Sequence, residues 1–212
     1  MIIAIDGTTA SGKGTISKRL ASQFGLPHMD TGRLYRATAV AALAAGLAQD
    51  DVAGITAIAR GLDLADFREE ELRTAEAGAM ASVVAAMPDV RQALFELQRA
   101  FATQEGGALL DGRDIGTVIA PEADIKLWVD ADVTQRGERR WRELVGQGSN
   151  VTLEAVIAQL RERDARDQGR TDAPAAIAED AVLIDTTNLT IEQAVEAAVA
   201  AVDAALTKGK SA

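Results

Sequence analysis

The chain of 212 residues contains no cysteine and a single histidine, and both shortages exclude kinds of site. Without thiols the chain can form neither a disulfide bond nor a thiolate metal centre. The lack of cysteine is compatible with a reducing compartment, and we predict a cytoplasmic protein. His28, the one histidine, lies beside a candidate strand, and we assign it no catalytic role.

Basic residues are also in the minority. Lysine and arginine number 22 against 32 aspartates and glutamates, which gives a formal net charge of −10. A protein that holds long nucleic acid by releasing counterions needs the opposite balance, so we expect no such partner. A small anionic ligand is still allowed, because a few arginines can be concentrated at one site.

Long apolar runs are missing as well. The alanine-rich stretches at 37–48 and 194–206 are too short, or too interrupted by charge, to span a membrane. The first residues, MIIAID, lack the basic segment and the cleavage site of a signal peptide. We therefore expect neither a membrane partner nor a signal peptide.

What the chain does contain is enough apolar material for one core, since 48% of its residues are hydrophobic. Short apolar runs alternate with helical patterns along the chain. The strand candidates are 1–5, 26–29, 108–111, 125–129 and 181–185. Strands that alternate with helices predict an α/β fold, here a parallel five-stranded sheet between two layers of helices.

Two regions interrupt this alternation. We predict a single domain over 1–212, in which 36–100 and 133–170 are inserts on the sheet. The part of the first insert at 48–90 is polar and helical in pattern, and the second insert is dense in arginine. The tail 208–212 is expected to be frayed.

A glycine-rich stretch, GTTASGKGT at 7–15, follows the first strand and opens a helix marked by Ile16, Leu20 and Phe24. Glycine lets the backbone approach a ligand closely, and successive amides at a helix start form a nest for phosphate oxygens. The pattern therefore predicts a phosphate-binding P-loop, with a glycine-rich turn that binds nothing as the alternative. The ATP-binding residues predicted here are Gly7, Thr8, Thr9, Ala10, Ser11, Gly12, Lys13, Gly14 and Thr15.

The metal ligands are predicted from the same region. A P-loop usually has a hydroxyl directly after its lysine, but here Gly14 follows Lys13 and the hydroxyl comes at Thr15. Asp111 ends a strand, where a carboxylate beside the loop can organise Mg²⁺ through water. We predict Mg²⁺ as the cofactor, held by Thr15 and Asp111. The alternative for Asp111 is the cap of a turn.

These motifs give the chain a resemblance to the bacterial cytidylate kinases, a nucleoside monophosphate kinase family of P-loop proteins. The resemblance covers nearly the whole chain. It is carried by the G-K-G-T loop, Asp30-Thr31-Gly32 with Tyr35-Arg36, Ser82, Arg91, Arg99-Ala-Phe101, the run Asp111-Gly-Arg-Asp114-Ile-Gly-Thr117, and Arg163, Asp167 and Arg170 in R-x-x-x-D-x-x-R. The chain departs from the family at Thr8, where proline is usual, and at 48–81, where many members have a longer insert.

The resemblance implies an enzyme that transfers the γ-phosphoryl group of ATP to CMP, and also to dCMP. The residues that it implies for the CMP site are Asp30, Thr31, Arg36, Ser82, Arg91, Arg113, Asp114, Arg163 and Asp167. Arginine suits a phosphate, and an aspartate can accept a hydrogen bond from the cytosine 4-amino group. The alternatives are one local ion pair for Arg113 and Asp114, and surface positions for Arg36 and Arg91.

The implied catalytic residues are Lys13, Arg163, Asp167 and Arg170. The last three are spaced i, i+4 and i+7 on a helix that should begin near Thr152, which puts them on one face. Two arginines around one aspartate suit the charge on a transferring phosphoryl group. The plain alternative is a solvated helix with a weak ion pair.

The remaining arginine cluster comprises Arg136, Arg139 and Arg140, before the loop Gly146-Gln-Gly148. We predict that it forms an arginine-rich lid that closes over the ATP phosphates and excludes water. The alternative is an exposed basic face of a helix.

Other functions stay open on the residues alone. A related small-molecule kinase, such as another nucleotide kinase or a shikimate-type kinase, would share the loop. A GTPase-like switch is less compatible, because no Asn-Lys-x-Asp element that reads guanine occurs in the sequence. A non-catalytic nucleotide-binding module is the third alternative. We expect a monomer with small-molecule substrates.

Overall fold

The computed structural model describes residues 1–209 and contains an all-parallel sheet of five strands. The strands are β1 Ile2–Gly7, β2 His28–Asp30, β3 Ala108–Gly112, β4 Ile125–Asp130 and β5 Val182–Asp185. Their spatial order is β2-β3-β1-β4-β5, so β1 lies at the centre. The predicted parallel α/β fold is confirmed. The predicted frayed tail at 208–212 falls largely on 210–212, outside the described residues.

Helices cover both faces of the sheet and make up the two inserts. They are α1 Lys13–Phe24, α2 Gly32–Ala44, α3 Val52–Arg60, α4 Glu69–Leu72, α5 Ala75–Val84, α6 Pro88–Ala102, α7 Val133–Gly146, α8 Leu153–Gln168 and α9 Ile191–Gly209. A 3-10 turn at Leu64–Asp66 and a π-helical turn at Ile115–Ile119 complete the set. Within residues 1–209, no helix is long and apolar enough to cross a membrane.

The core lies in two layers because both faces of the sheet are covered. Ile3 and Ile5 point to one face and pack with α1 and α9. Ala4 and Leu110 belong to the cluster on the other face, with α6 and the segment that follows β3. A central strand buried on both sides explains why the beginning of the chain is continuously apolar and does not alternate with polar residues.

The region between β2 and β3 is helical. All residues from 31 to 107 are described, and none of them lies in a strand. Helices α2, α3, α5 and α6 share their own apolar cluster, which includes Leu34, Ile55, Met80 and Leu94. The helical pattern predicted for 48–81 is confirmed. This packing holds the side chains of α2, α5 and α6 beside the carboxyl edge of the sheet.

Candidate active site

Polar residues gather at the carboxyl ends of the strands, as expected for an open parallel sheet. Asp111 on β3 is in register with Ile5 of β1 on one side and with Asp30 of β2 on the other. Gly7 ends β1, and Asp130 ends β4. The glycine-rich loop and the carboxylates of three neighbouring strands therefore share one edge.

The glycine-rich loop has the backbone of an anion site. Gly7 has φ 151°, and a Cβ added there would lie 1.9 Å from the carbonyl oxygen of Val129, so only glycine fits. Ala10 and Gly12 both have left-handed φ, at 62° and 92°. Left-handed residues interspersed in a tight loop produce the concave nest of amides that binds phosphate. Because α1 begins at Lys13, the positive end of that helix adds to the site.

Side chains from other elements hold this loop in place. Thr8 Oγ1 donates to Asp130 Oδ1 at 2.6 Å, a bond that the proline usual in similar proteins cannot make. Arg113 donates to Thr9 Oγ1 at 2.6 Å, and Arg136 donates to the Thr9 carbonyl at 3.2 Å. The loop is thus preorganised by contacts with both flanking regions of the sheet edge.

Asp111 is the buried centre of a small charged group, with 1% of the residue exposed. Lys13 Nζ contacts its Oδ1, and His28 Nε2 lies 2.7 Å from its Oδ2. Burial alone would raise the pKa of Asp111, but Lys13 and His28 outweigh it and hold that pKa well below its usual range. Asp111 is therefore ionised at neutral pH.

The contact of His28 with Asp111 was not predicted from the sequence, which assigned His28 no catalytic role. It lies two residues before Asp30 on β2, so its side chain points to the same face of the sheet as Asp111 on the paired strand. Only the pairing of β2 with β3 reveals this contact, and β2 is a short strand that the sequence pattern indicates weakly. A histidine in contact with this carboxylate restricts the orientation of the group nearest the phosphate loop.

A second charged group surrounds Asp167, of which 3% is exposed. Arg113 Nε donates to its Oδ2 at 3.0 Å, and Arg170 contacts its Oδ1. Arg163 Nε lies 4.0 Å from Oδ2. One carboxylate is therefore shared by three guanidinium groups that arrive from the turn after β3, from α8 and from the segment beyond it.

The prediction that Arg163, Asp167 and Arg170 share one face of a helix is wrong for Arg170. Helix α8 ends at Gln168, and the amide of Gly169 closes the last turn on the Ala165 carbonyl. Glycine disfavours continuation of a helix, so the chain leaves the axis there. Arg170 reaches Asp167 from outside the helix.

Arg163 has more positive than negative groups around it. Its Nε is buried, and no residue of the described chain accepts a hydrogen bond from it. Burial and the neighbouring guanidinium groups of Arg113, Arg36 and Arg170 lower its pKa to about 10, despite the opposing effect of Asp167. Arg36, which is half-buried on α2, is therefore part of the same positive region. Such a region favours binding of an anion.

The local ion pair considered for Arg113 and Asp114 is also wrong. Asp114 instead contacts Arg91 of α6, and Arg113 pairs elsewhere. Arg91 in addition lies 3.3 Å from Tyr35 Oη and 3.4 Å from Asp172 Oδ2. Burial raises the pKa of Asp114, although Arg91 opposes the rise. Arg91 is buried, so the alternative of a surface arginine does not hold for it.

The predicted hydroxyl groups have partners within the protein. Thr31 Oγ1 donates to the Asp111 carbonyl at 2.9 Å, which joins the ends of β2 and β3. Ser82 Oγ on α5 accepts from Arg166 of α8 at 2.7 Å. Arg166 was not among the predicted site residues, although it connects α8 to the helical insert. Asp30 is half-buried at the end of β2.

Arg136 is an internal residue of the predicted lid, with 5% of it exposed. Its Nε donates to the Ala131 carbonyl at 2.8 Å, and its NH2 group donates to Asp164 Oδ2 at 2.7 Å. The alternative of an exposed basic face is therefore wrong for this arginine. Through its bond to Thr9, Arg136 supports the phosphate loop from behind.

The other two lid arginines lie farther out on α7. Arg139 donates to the Thr186 carbonyl at 2.6 Å, and Thr186 Oγ1 donates to the Ser11 carbonyl at 2.7 Å. Arg140 pairs with Glu143 at 2.7 Å on the helix surface. Their contact with ATP stays a prediction.

The chain was compared with models of known protein families. The family model for cytidylate kinase matches residues 3–204. The chain belongs to the cytidylate kinase family. This confirms the resemblance inferred from the motifs.

Relatives of similar length support the assignment. The chain is 57% identical over 204 residues to the cytidylate kinase of Xanthobacter autotrophicus, covering 96% of this chain and 98% of that protein. It is 54% identical over 197 residues to the cytidylate kinase of Caulobacter sp. strain K31, covering 93% and 91%. A solved structure of an uncharacterized protein from Eubacterium ventriosum matches with a TM-score of 0.55 and 14% identity, over 96% of this chain and 98% of that one. At this identity the structural match supports the fold alone.

A cytidylate kinase uses ATP together with a divalent metal ion, and the oxygen donors here are suited to one. Within residues 1–209 no three histidine or acidic side chains are grouped to hold a metal. A metal bound with a nucleotide needs fewer protein ligands, because phosphate oxygens and waters complete its shell. Thr15, exposed on the first turn of α1, and Asp111, on the strand beside β1, offer a hydroxyl and an ionised carboxylate.

Proposed function

We propose that the chain moves the γ-phosphoryl group of ATP to the 5′-phosphate of CMP, giving CDP and ADP, by positioning and charge neutralisation. Membership of the cytidylate kinase family supports the overall reaction and the transferase class. Use of dCMP as a second acceptor belongs to the proposal. The observation that carries the proposed mechanism is an excess of arginine beside the phosphate loop.

The excess can be counted in side chains. The group contains five arginines, Arg36, Arg91, Arg113, Arg163 and Arg170, and three aspartates, Asp114, Asp167 and Asp172. The surplus of positive charge matches a phosphate monoester, which carries about −1.5 to −2 at neutral pH. A phosphate bound there would accept hydrogen bonds from guanidinium groups that have unused donors, such as Arg163 Nε.

The donor side is built by the backbone. The phosphates of ATP would lie in the loop after β1, with the amides and Lys13 as donors. Lys13 exchanges its contact with Asp111 for the β- and γ-phosphates when ATP binds, and His28 then keeps Asp111 in place. The loop needs little rearrangement, because Thr8, Thr9 and Ser11 are already tied to neighbouring elements.

Mg²⁺ is the metal that we propose, held by Thr15 and, through water, by Asp111. When bound, it would neutralise charge on the phosphate oxygens. The residues of the chain supply the rest of the neutralisation, with Arg163 and Arg170 at the transferring group and Asp167 holding them. No general base is required, because the acceptor oxygen already belongs to a phosphate.

The base of CMP would be selected through Asp114. An ionised carboxylate only accepts hydrogen bonds, so it suits the 4-amino group of cytosine and opposes the carbonyl oxygen that uracil has there. Burial raises the pKa of Asp114, and Arg91, in contact with it, opposes that rise and favours the ionised form. Asp30, Thr31 and Ser82 complete the proposed CMP site. Recognition of the sugar is part of the same proposal.

The arginines of α7 would act on the ATP side as the predicted lid. Arg136 supports the phosphate loop, while Arg139 and Arg140 are nearer the surface and would approach the phosphates on closure. Closure would exclude water and limit wasteful hydrolysis. A monomeric, cytoplasmic enzyme with inserts at 36–100 and 133–170 stays our prediction.

The test is ADP production from Mg·ATP without an acceptor, and then with CMP, dCMP, UMP, AMP, GMP or shikimate. We expect a strong response to CMP, CDP as product and little background hydrolysis. A response to another acceptor alone would mean that the residues of the CMP site are misassigned. Guanine nucleotide preference with hydrolysis that no acceptor stimulates would favour a switch, and binding without turnover would favour a non-catalytic module.

A matched pair of variants tests the arginine group itself. Arg163→Met removes a partly buried guanidinium of the group, with 25% of the side chain exposed, whereas Arg161→Met removes an exposed arginine from the same helix. We expect the first to lower kcat for CMP by about 100-fold or more, and the second to leave kcat within about twofold. Equal effects would mean that the group does not serve phosphoryl transfer.

A further inference from the structure

Asp6 is a buried carboxylate that the proposed reaction does not use. It lies on β1 directly before Gly7, and 4% of it is exposed. Its Oδ1 accepts from the amide of Ile115 at 2.9 Å, and its Oδ2 accepts from the amide of Gly116 at 2.8 Å. Both bonds are made by one side chain to a segment more than 100 residues away in sequence.

The two amides need an external partner. They begin the π-helical turn Ile115–Ile119, and the first amides of any helical turn have no acceptor within it. Inside the turn, the amides of Val118 and Ile119 bond to the Asp114 carbonyl. Asp6 therefore acts as a cap supplied by another strand.

The approach of Asp6 to the turn is close. A Cβ added at Gly116 would lie 3.1 Å from the side chain of Lys126 and 3.5 Å from Asp6 Oδ2. The turn therefore fits tightly between β1 and β4 at this point. The two hydrogen bonds of Asp6 therefore join the turn to β1.

Asp6 connects the two halves of the proposed site. The residue after it begins the phosphate loop, whereas the turn that it caps follows Arg113 and Asp114. We propose that Asp6 is a positioning residue that sets the acceptor turn relative to the phosphate loop. This inference rests on the proposed function, in which the loop binds ATP and Arg113 and Asp114, directly before the turn, bind CMP.

Loss of the Asp6 cap should affect transfer of the γ-phosphoryl group to CMP and its transfer to water differently. Transfer to CMP requires the acceptor oxygen to be aligned with the γ-phosphate, and a misplacement of about 1 Å costs about 100-fold. Transfer to water does not use the turn. Loss of the cap should therefore reduce transfer to CMP much more than acceptor-independent hydrolysis.

The experiment uses Asp6→Asn in the full chain. The amide side chain keeps one acceptor and turns a donor toward the second backbone amide, so one bond is lost without a change in size. We expect CMP-dependent turnover to fall about 10- to 100-fold, while acceptor-independent hydrolysis and affinity for a non-hydrolysable ATP analogue change less than about threefold.

Asp124→Asn is the matched control. Asp124 Oδ2 accepts from the amide of Ile2 at 2.7 Å, at the opposite end of β1. This variant replaces the charged acceptor of a backbone amide on the same strand with a neutral one, without touching the turn. We expect its ratio of transfer to hydrolysis to equal that of the unmodified protein.

Two results would overturn the inference. One is an equal fall, or no fall, of transfer and hydrolysis in Asp6→Asn. The other is rapid hydrogen exchange at the amides of Ile115 and Gly116 in the unmodified protein, compared with the amide of Val118. The exchange measurement needs no variant, so it decides the question even if Asp6→Asn does not fold.

Failure of the proposed function looks different. In that case the unmodified protein itself would show no CMP-dependent turnover. If the unmodified protein phosphorylates CMP and Asp6→Asn keeps the same ratio of transfer to hydrolysis, only the role of Asp6 is lost.

Discussion

The phosphate loop and the arginine group lie side by side but are built in different ways. The loop, residues 7–15, is continuous in sequence and depends on backbone conformations at Gly7, Ala10 and Gly12. The arginine group brings side chains from α2, α6, α8 and the turn after β3 to one place. The amides of the loop come from one continuous segment that distant side chains then hold in place, whereas the arginine group exists only after the helices have packed.

The two regions also differ in charge balance. In the loop region, Lys13 and Asp111 neutralise each other. In the arginine group, cations outnumber carboxylates, and the pKa of Arg163 is lowered to about 10, first by burial and then by its arginine neighbours. The difference suggests that the loop is nearly ready for its ligand, while the arginine group gains stability from an anion.

The largest expected effect is at the loop. Lys13→Met should lower kcat by about 1,000-fold, because the β- and γ-phosphates lose their closest cation. Steady-state ADP production measures it, and circular dichroism checks folding, since Asp111 keeps only His28. Lys18→Met, an exposed change on the same helix, is the control. Similar kcat values for the two variants would contradict the assignment.

Loss of the carboxylate shared within the arginine group should lower stability. Asp167→Asn leaves Arg113, Arg163 and Arg170 without their shared carboxylate, so the free energy of unfolding should fall by about 3 to 5 kcal/mol. CMP should restore more stability to this variant than to the unmodified protein, because its phosphate replaces the missing charge. Urea denaturation with and without CMP measures both effects. Glu162→Gln, an exposed change on α8, should show neither.

Asp6, between the two regions, predicts a pH dependence. Burial, together with the charge of Asp114, raises its pKa from 3.8 to about 6, despite the opposing effects of the amides of Gly116 and Ile115 and of nearby Lys13. Lys126 packs against the capped turn. The folded state therefore favours the protonated form of Asp6 more than the unfolded state does. The contribution of Asp6 to the free energy of unfolding is present below the pKa of the unfolded chain and is lost as pH rises through about 6.

The measurement compares the unmodified protein with Asp6→Asn. Their difference in free energy of unfolding should shift by about 3 kcal/mol in favour of the unmodified protein between pH about 7.5 and pH about 3.5. Chemical denaturation at several pH values gives this difference, and titration of all other groups cancels to first order. A difference that does not vary with pH would contradict the raised pKa of Asp6.

The smallest effect is expected at the lid surface. Arg140→Ala removes an ion pair with Glu143 on one helix, so the free energy of unfolding should change by less than about 0.5 kcal/mol. Any loss of activity in this variant would then report contact with ATP.

Arg136→Ala on the same helix should be much more destabilising, because Arg136 is buried against Asp164 and two carbonyls. Equal destabilisation by both changes would contradict the structure.

Prediction from the sequence was most accurate where interactions are local. The strands and the start of α1 were located within one or two residues, because apolar runs and glycine positions report on short-range geometry. The end of α8 was misplaced, since the spacing of Arg163, Asp167 and Arg170 suggested a continuous helix and Gly169 was given no weight. Ion-pair partners were not predicted, as with the bond of Arg113 to Asp167, because charges of the same type are interchangeable in a one-dimensional pattern.

Local sequence was sufficient to predict the phosphate loop from the glycines at 7 and 12 and the start of a helix at Lys13, although contacts with Val129 and Asp130 on β4 also constrain it. Family motifs supplied the residues that we propose for the CMP site, and their contact with CMP stays a prediction. Tertiary structure alone decided which partners they have: His28 on Asp111, Arg91 on Asp114, and Asp6 on the turn after β3. The physical reason is that electrostatic and hydrogen-bond energies depend on distance in space, which strand register and helix packing determine.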